Sequence, residues 1–492
     1  MKKVKNLVER YCIFILIFLI VGIFVHLPLF TKNILTADVL LNTNYYDGYS
    51  WEISLGRFGL YIIGLLKGFY VFPQIEIFLS LCLLLASTIL LFELFSIKNK
   101  IVQIMIGLVV VCSPIVSSTL LFHYCCFPYT LAFFFGISAI YLFYKSRKKI
   151  WKYLIPVFLI SISLSMYQAY LAIPCTLMLF YSVYQIFEKK FSVRQFFISI
   201  GIILSGTLLY FILMKLSLFV FHIDMNSYRG ANSFGIDTLL QIPSRIVTSY
   251  VSFYQFYFTD RIVNNSNVGM FFFNFIFFLL FVIGVIYFIW SKHLSWKEIL
   301  GIVILFLLVP LGICCVTVIL PDTSLQLLMS SGFLLVFFFF GYLVQEKKVL
   351  YTLSSLLLLF MIRGYLIQVE ATYQKLDSTF QATYQVASNI YQDISKYDSD
   401  VVMIVGKVEA ESSNSDSTYG FVANYPLFWD EYTNQKNGWS RFMKYYIGHS
   451  ISYVDYETYR DILASEEYQD MNFYPKKNSI REINDVLVVK VK

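Results

Sequence analysis

Apolar runs of about 20 residues, the length a helix needs to cross a bilayer, recur along the first three-quarters of the 492-residue chain. They predict eleven spans, at 12–31, 74–96, 101–122, 127–144, 153–169, 171–187, 196–221, 269–290, 298–320, 325–345 and 349–367. The tight pair at 153–187 also reads as one broken segment, which would change the parity. Two longer stretches, 32–73 and 222–268, lack such runs and read as loops. After residue 367 the pattern changes. A polar helix is expected over about 370–396, a strand at Val401–Val405, a helix near 455–468 and a closing strand over Val486–Val491. The expected fold is therefore an α-helical polytopic membrane domain, 1–367, followed by a small α/β domain, 368–492.

Charge orients these spans. Basic residues cluster at the start (Lys2, Lys3, Lys5, Arg10) and then in every second connection. Those connections hold Lys98 and Lys100, then Lys145 to Lys152, then Lys189, Lys190 and Arg194, then Lys292 and Lys297, then Lys347 and Lys348. The alternate short loops near 123–127, 170 and 321–324 contain no Lys or Arg. Because cytoplasmic loops carry the basic excess, the N-terminus is expected inside and the C-terminal domain outside a multi-pass plasma-membrane protein. The first span reads as an anchor, since it is too long for a signal-peptide core and Pro28–Thr31 offers no small-residue cleavage site.

Composition agrees. Only 14% of residues are charged and 58% are hydrophobic, against roughly 25% charged in soluble domains. That excludes a soluble, disordered or nucleic-acid-binding chain. The net charge of +7 conceals an asymmetry, because residues 368–492 hold 12 basic against 18 acidic side chains and the remainder 26 against 13. All eight cysteines lie in or beside apolar runs, which suggests neither a disulfide framework nor a zinc site.

Candidate chemistry concentrates in the first long loop, which carries Asp38, Asp47, Glu52 and Arg57 among aromatic residues. A mildly amphipathic stretch, 55–72, is expected to lie along the membrane surface. A carboxylate can take a proton from a sugar hydroxyl, and an arginine can hold a phosphate through paired hydrogen bonds. Composition alone favours the plainer account, a solvated loop whose charges face water.

The Asp38 segment, the run Tyr46–Phe58 and the later Ser165-Met166-Tyr167-Gln168-Ala169-Tyr170 resemble the GtrII-type glucosyltransferase family. Ser54-Leu55-Gly56-Arg57-Phe58 is the most specific piece. The ending, Tyr474–Ile480 followed by a Val-rich strand, is similar to that of Gram-positive members. The resemblance implies a GT-C-like enzyme of a monoderm-type bacterium with a catalytic acid in its first external loop. It also implies a polyprenyl-phosphate sugar donor and inversion at the anomeric carbon. Carried over by position, Asp38 ranks first as general base, Asp47 second and Glu52 third, and Arg57 neutralises the donor phosphate or orients the loop. Family members often show two adjacent acids here, whereas this chain has Ala37-Asp38 and Tyr46-Asp47. An outward-facing site supports the same donor on physical grounds, because a nucleotide sugar cannot cross the bilayer whereas a lipid-linked one is available there. The acceptor is expected to be a surface polysaccharide or teichoic-acid-type polymer.

Arg363 and Lys215, near the external ends of their spans, and Arg229, Arg245 and Arg261, in the second long loop, are further phosphate contacts, with headgroup snorkelling or solvation the plainer account of each. Trp51, Tyr167 and Gln168 are the candidate sugar contacts, and helix packing explains the last two equally well. The aromatic residues of the tail suit acceptor binding. His123 reads as an interfacial side chain. Asp398-Ser399-Asp400 matches a metal-binding Asp-x-Asp pattern but sits before a strand, on the outer side, and is rejected. No bound metal is expected, although Asp38 and Asp47 are compatible with a weakly held Mg²⁺ or Mn²⁺. Two rival functions are a transporter or flippase of lipid-linked glycans and an O-antigen-type polymerase or ligase. The first requires charges near the bilayer midplane and the second a large late loop, and neither feature is prominent.

Overall fold

The computed structural model describes residues 2–146, 150–227, 240–259, 269–319, 325–397, 399, 401–408 and 432–492, the side chains of 2–7 and 434 excepted. It is mostly helical and separates into two compact units. The first comprises Met1–Leu27 and Tyr45–Val369, the second Pro28–Asn44 and Glu370–Lys492.

Nine helices among the described residues are long and apolar enough to cross a membrane: Lys2–Val25 through its Val8–Val25 stretch, Pro73–Leu94, Cys126–Lys145, Gln168–Phe187, Val193–Phe221, Met270–Ser291, Trp296–Ile313, Leu327–Val344 and Lys348–Ile394. The run expected at 101–122 is a pair, Lys100–Cys112 and Pro114–Leu120, bent by 48°. The bend lies where Ser113 turns extended and caps a new helix that opens on Pro114, which has no N–H to continue the old one. The tight pair at 153–187 is broken at Tyr167. The 16-residue helix Trp151–Met166 ends there, Tyr167 is extended (φ −157°, ψ 110°), and a 3₁₀ turn opens the next helix.

Gln168–Phe187 and Leu327–Val344 are apolar around their whole circumference and almost wholly buried, as expected of helices surrounded by other helices. They meet through aromatic contacts such as the stacked Phe180 and Phe339 rings, 5.0 Å apart. Helices that are mostly exposed, such as Val193–Phe221 and Met270–Ser291, present Leu, Ile and Phe outward. Two short helices occupy the first long loop within this unit, Ser50–Ser54 and Phe58–Leu66. The latter is amphipathic, burying Leu60, Gly59 and Gly64 while exposing Ile62, Leu65 and Leu66.

In the second unit three strands form one sheet: β1 (Val402–Val405), β2 (Ile480–Ile483) and β3 (Val486–Lys490), in the order β1-β3-β2. β3 runs parallel to β1 and antiparallel to β2. The two-residue turn Asn484-Asp485 joins β2 to β3 with both residues at positive φ, the geometry a tight hairpin needs. Met403, Val454, Ile462, Ile483, Val486 and Val488 belong to the apolar core. Trp439, fully buried, donates to the Gly406 carbonyl at 3.1 Å. The short helix Ala37–Leu41, capped by Thr36, also belongs to this unit, and Arg441 donates to its Leu41 carbonyl.

Candidate active site

A sharp turn in the first unit brings Glu52 and Arg57 together. The helix Ser50–Ser54 ends at Gly56, whose φ of +78° reverses the chain, and the Arg57 N–H donates to the Glu52 carbonyl at 2.7 Å. Gly56 is required twice over. Its φ lies in the left-handed region, and a Cβ there would stand 2.6 Å from the Tyr210 hydroxyl and 2.7 Å from Met214 Sδ. The reversal lets Arg57 Nη1 donate to Glu52 Oε2 at 3.2 Å, with Glu52 only 5% exposed.

The second sequence segment completes the arrangement. Arg57 Nε donates to Gln168 Oε1 at 3.4 Å, and the guanidinium carbon lies 5.1 Å from the centre of the Tyr167 ring. Gln168 Nε2 donates in turn to the Leu55 carbonyl at 2.6 Å and the Tyr210 hydroxyl at 2.8 Å. Tyr210 closes the loop by donating to the Gly56 carbonyl at 3.2 Å. Gly59 sits so close to Ser165 that a Cβ would come within 2.4 Å of its hydroxyl oxygen. The two segments, more than 100 residues apart, therefore interlock. Around them stands an aromatic wall, with Tyr129 stacked on Tyr167 at 4.7 Å and Tyr46 against Tyr124 at 4.6 Å. Beside that wall Lys67 Nζ donates to Glu76 Oε1 at 2.6 Å and to the Tyr124 carbonyl at 3.1 Å.

The family model for glucosyl transferase GtrII matches residues 27–337, nearly two-thirds of the chain. The chain belongs to the GtrII family. No curated protein and no solved structure matches it. Membership makes glycosyl transfer its chemistry, and its many apolar helices make it a membrane protein. The matched stretch contains the whole Glu52–Arg57–Gln168–Tyr210 network, whereas Glu370–Lys492 lies beyond it.

The other predicted residues of this GtrII member are dispersed. Asp38 belongs to the second unit, half-buried in the first turn of Ala37–Leu41. Asp47 is exposed, and its Oδ1 accepts the Tyr49 N–H at 3.0 Å. Trp51 is 53% exposed. Arg245 is buried but spoken for: Nη2 donates to Gln241 Oε1 at 2.7 Å, and Nη1 to the carbonyls of Val318 and Ile319 at the end of the helix Cys315–Ile319. Arg363 and Lys215 are exposed on their helices. Arg229, Arg261, Asp398 and Asp400 lie outside the described residues. His123, in the loop before the helix Cys126–Lys145, is enclosed by protein. It is 5% exposed, and burial pushes its imidazole down to about 4, which leaves it neutral. Among the described residues no group of three His, Cys, Asp or Glu side chains is placed to hold a metal. Sequence reasoning missed Tyr129 and Tyr210, ordinary aromatic positions within apolar runs, and the Lys67–Glu76 pair. Tyr46 stood inside the quoted segment without being singled out.

Proposed function

We propose that this GtrII member transfers a hexose or N-acetylhexosamine from a polyprenyl phosphate to a surface glycopolymer, on the outer face of the plasma membrane and with inversion. One observation carries the proposal: a half-buried arginine, neutralised by the buried Glu52 and propped by Gln168 and Tyr167, within the family's matched segment. The sugar–phosphate linkage carries one negative charge, and a guanidinium receives phosphate oxygens in a planar fork. The incoming phosphate shares Arg57 with Glu52. When the acceptor oxygen bonds to the anomeric carbon, the carbon–oxygen bond to phosphate breaks and the electron pair leaves with the lipid phosphate, whose charge Arg57 stabilises.

Inversion sets the acceptor and the leaving group on opposite faces of the sugar. Glu52 is bound to the group assigned to the phosphate, so its role is to hold and neutralise Arg57. The carboxylate that takes the acceptor's proton is then Asp47, exposed five residues upstream and oriented by the Tyr49 N–H. Topology completes the scheme, with the N-terminus cytoplasmic and both long loops outside. Arg57 supplies the positive charge, and the scheme needs no divalent cation.

The test uses membranes carrying the full chain at equal levels, a labelled polyprenyl-phosphate glucose and cell-surface glycan. Arg57→Ala and Asp47→Asn are each expected to lower transfer about 100-fold or more, and EDTA to leave it unchanged. Full transfer by Arg57→Ala would overturn the phosphate assignment. Loss in Asp38→Asn with retention in Asp47→Asn would move the base to Asp38.

A further inference from the structure

Tyr46 carries a buried hydroxyl that nothing in the described structure satisfies. The residue is 8% exposed, its ring packs on Tyr124, and its backbone N–H donates to the Phe69 carbonyl at 2.9 Å, yet its hydroxyl has no hydrogen-bond partner. An unmade hydrogen bond of this kind costs about 1–3 kcal/mol, and native proteins keep few of them. Glu52, six residues on, is engaged elsewhere, accepting from Arg57. Burial first, and then the charge of Glu52, hold the Tyr46 phenol well above its ordinary range, so it remains a donor. A buried donor is thus kept in the same loop as the Glu52–Arg57 pair, with no partner among the described residues.

We propose that Tyr46 is a binding residue for the lipid-linked sugar donor, its hydroxyl donating to an oxygen of the sugar–phosphate group that Arg57 holds. This inference rests on the function proposed above. It adds a neutral donor to a site otherwise defined by charges, and it assigns a function to the first tyrosine of Tyr46-Asp47-Gly48-Tyr49.

Tyr46→Phe removes one oxygen and keeps the ring. In membranes carrying the full chain, with polyprenyl-phosphate glucose as donor, the variant is expected to raise the donor KM about tenfold while kcat falls less. Its melting temperature should match or exceed the wild type, because an unsatisfied polar atom has been deleted. Sugar-free polyprenyl phosphate, used as a competitor, locates the contact: weakened inhibition assigns the hydroxyl to the phosphate, and unchanged inhibition with a raised KM assigns it to the sugar. An unchanged donor KM overturns the proposal, and an unchanged KM with a lowered melting temperature identifies a structural hydrogen bond, to a fixed water for example. Arg57→Ala, run in parallel, separates the two claims. If it retains transfer, the phosphate reading fails; if it loses transfer while Tyr46→Phe behaves as wild type, only the role of Tyr46 fails.

Discussion

Each unit contains an arginine paired with an acid close in sequence, and the two pairs sit in opposite surroundings. In the first unit Arg57 and Glu52 lie 3.2 Å apart with side chains 20% and 7% exposed. In the second, Arg460 and Asp461 lie 3.0 Å apart, each 64% exposed. Water solvates the second pair whether or not its partners meet, so their meeting changes little. The first pair has lost that option. Its charges are tolerable only together, and Gln168 and Tyr167 hold Arg57 in place. The second unit packs Met403, Val488 and their neighbours into an apolar core. The first places a charged pair inside and holds it with contacts drawn from three distant parts of the chain. An ion pair held in this way costs more to keep than an exposed one.

This contrast can be broken most sharply at Arg57. Its replacement by alanine leaves Glu52 buried without a counter-ion, which should destabilise the unit by about 3–5 kcal/mol. The double variant Glu52→Gln/Arg57→Gln strands no charge. Thermal unfolding of the full chain should show its stability largely restored while transfer stays lost. Recovery of both would make the pair structural.

A smaller effect is expected at the turn that creates the pair. Gly56→Ala forces a side chain into positive φ and against Tyr210, at a cost of about 1–3 kcal/mol. Gly201, exposed on the helix Val193–Phe221, has open space around it, with nothing within 4 Å of where an alanine methyl would stand. Gly201→Ala should therefore stabilise by roughly 0.5–1 kcal/mol. Similar melting temperatures for the two variants would contradict the tight fit described at Gly56. The smallest change belongs to the exposed pair: Arg460→Ala should shift stability by no more than about 0.5 kcal/mol, and a loss of several would place that pair in a different environment.

Much of the helical layout was legible in the chain because a bilayer imposes a length and a polarity on every segment that crosses it. The runs at 74–96, 127–144 and 269–290 became helices within a few residues of those bounds. The strands at Val402–Val405 and Val486–Lys490 were visible from their short apolar runs, but their parallel pairing was not, since 80 residues separate them. The kink at Pro114 had a local signal in its proline. The break at Tyr167 had none: neither Gly nor Pro occurs there, and the site network is what fills the gap.

The candidate site divides the same way. The sequence by itself determined the apolar spans, the acidic loop and the Ser-Leu-Gly-Arg-Phe segment, because hydropathy, charge and the demand for glycine at a reversal are properties of neighbouring residues. Only the tertiary structure decided that Glu52 pairs with Arg57, that Gln168 and Tyr210 brace the turn, that Arg245 serves a helix end and that Asp38 belongs to the other unit. Those outcomes depend on which side chains are brought within hydrogen-bond reach across more than 100 residues, and on which charges lose their water. Distance in space and access to solvent are set by packing, and no local pattern records them.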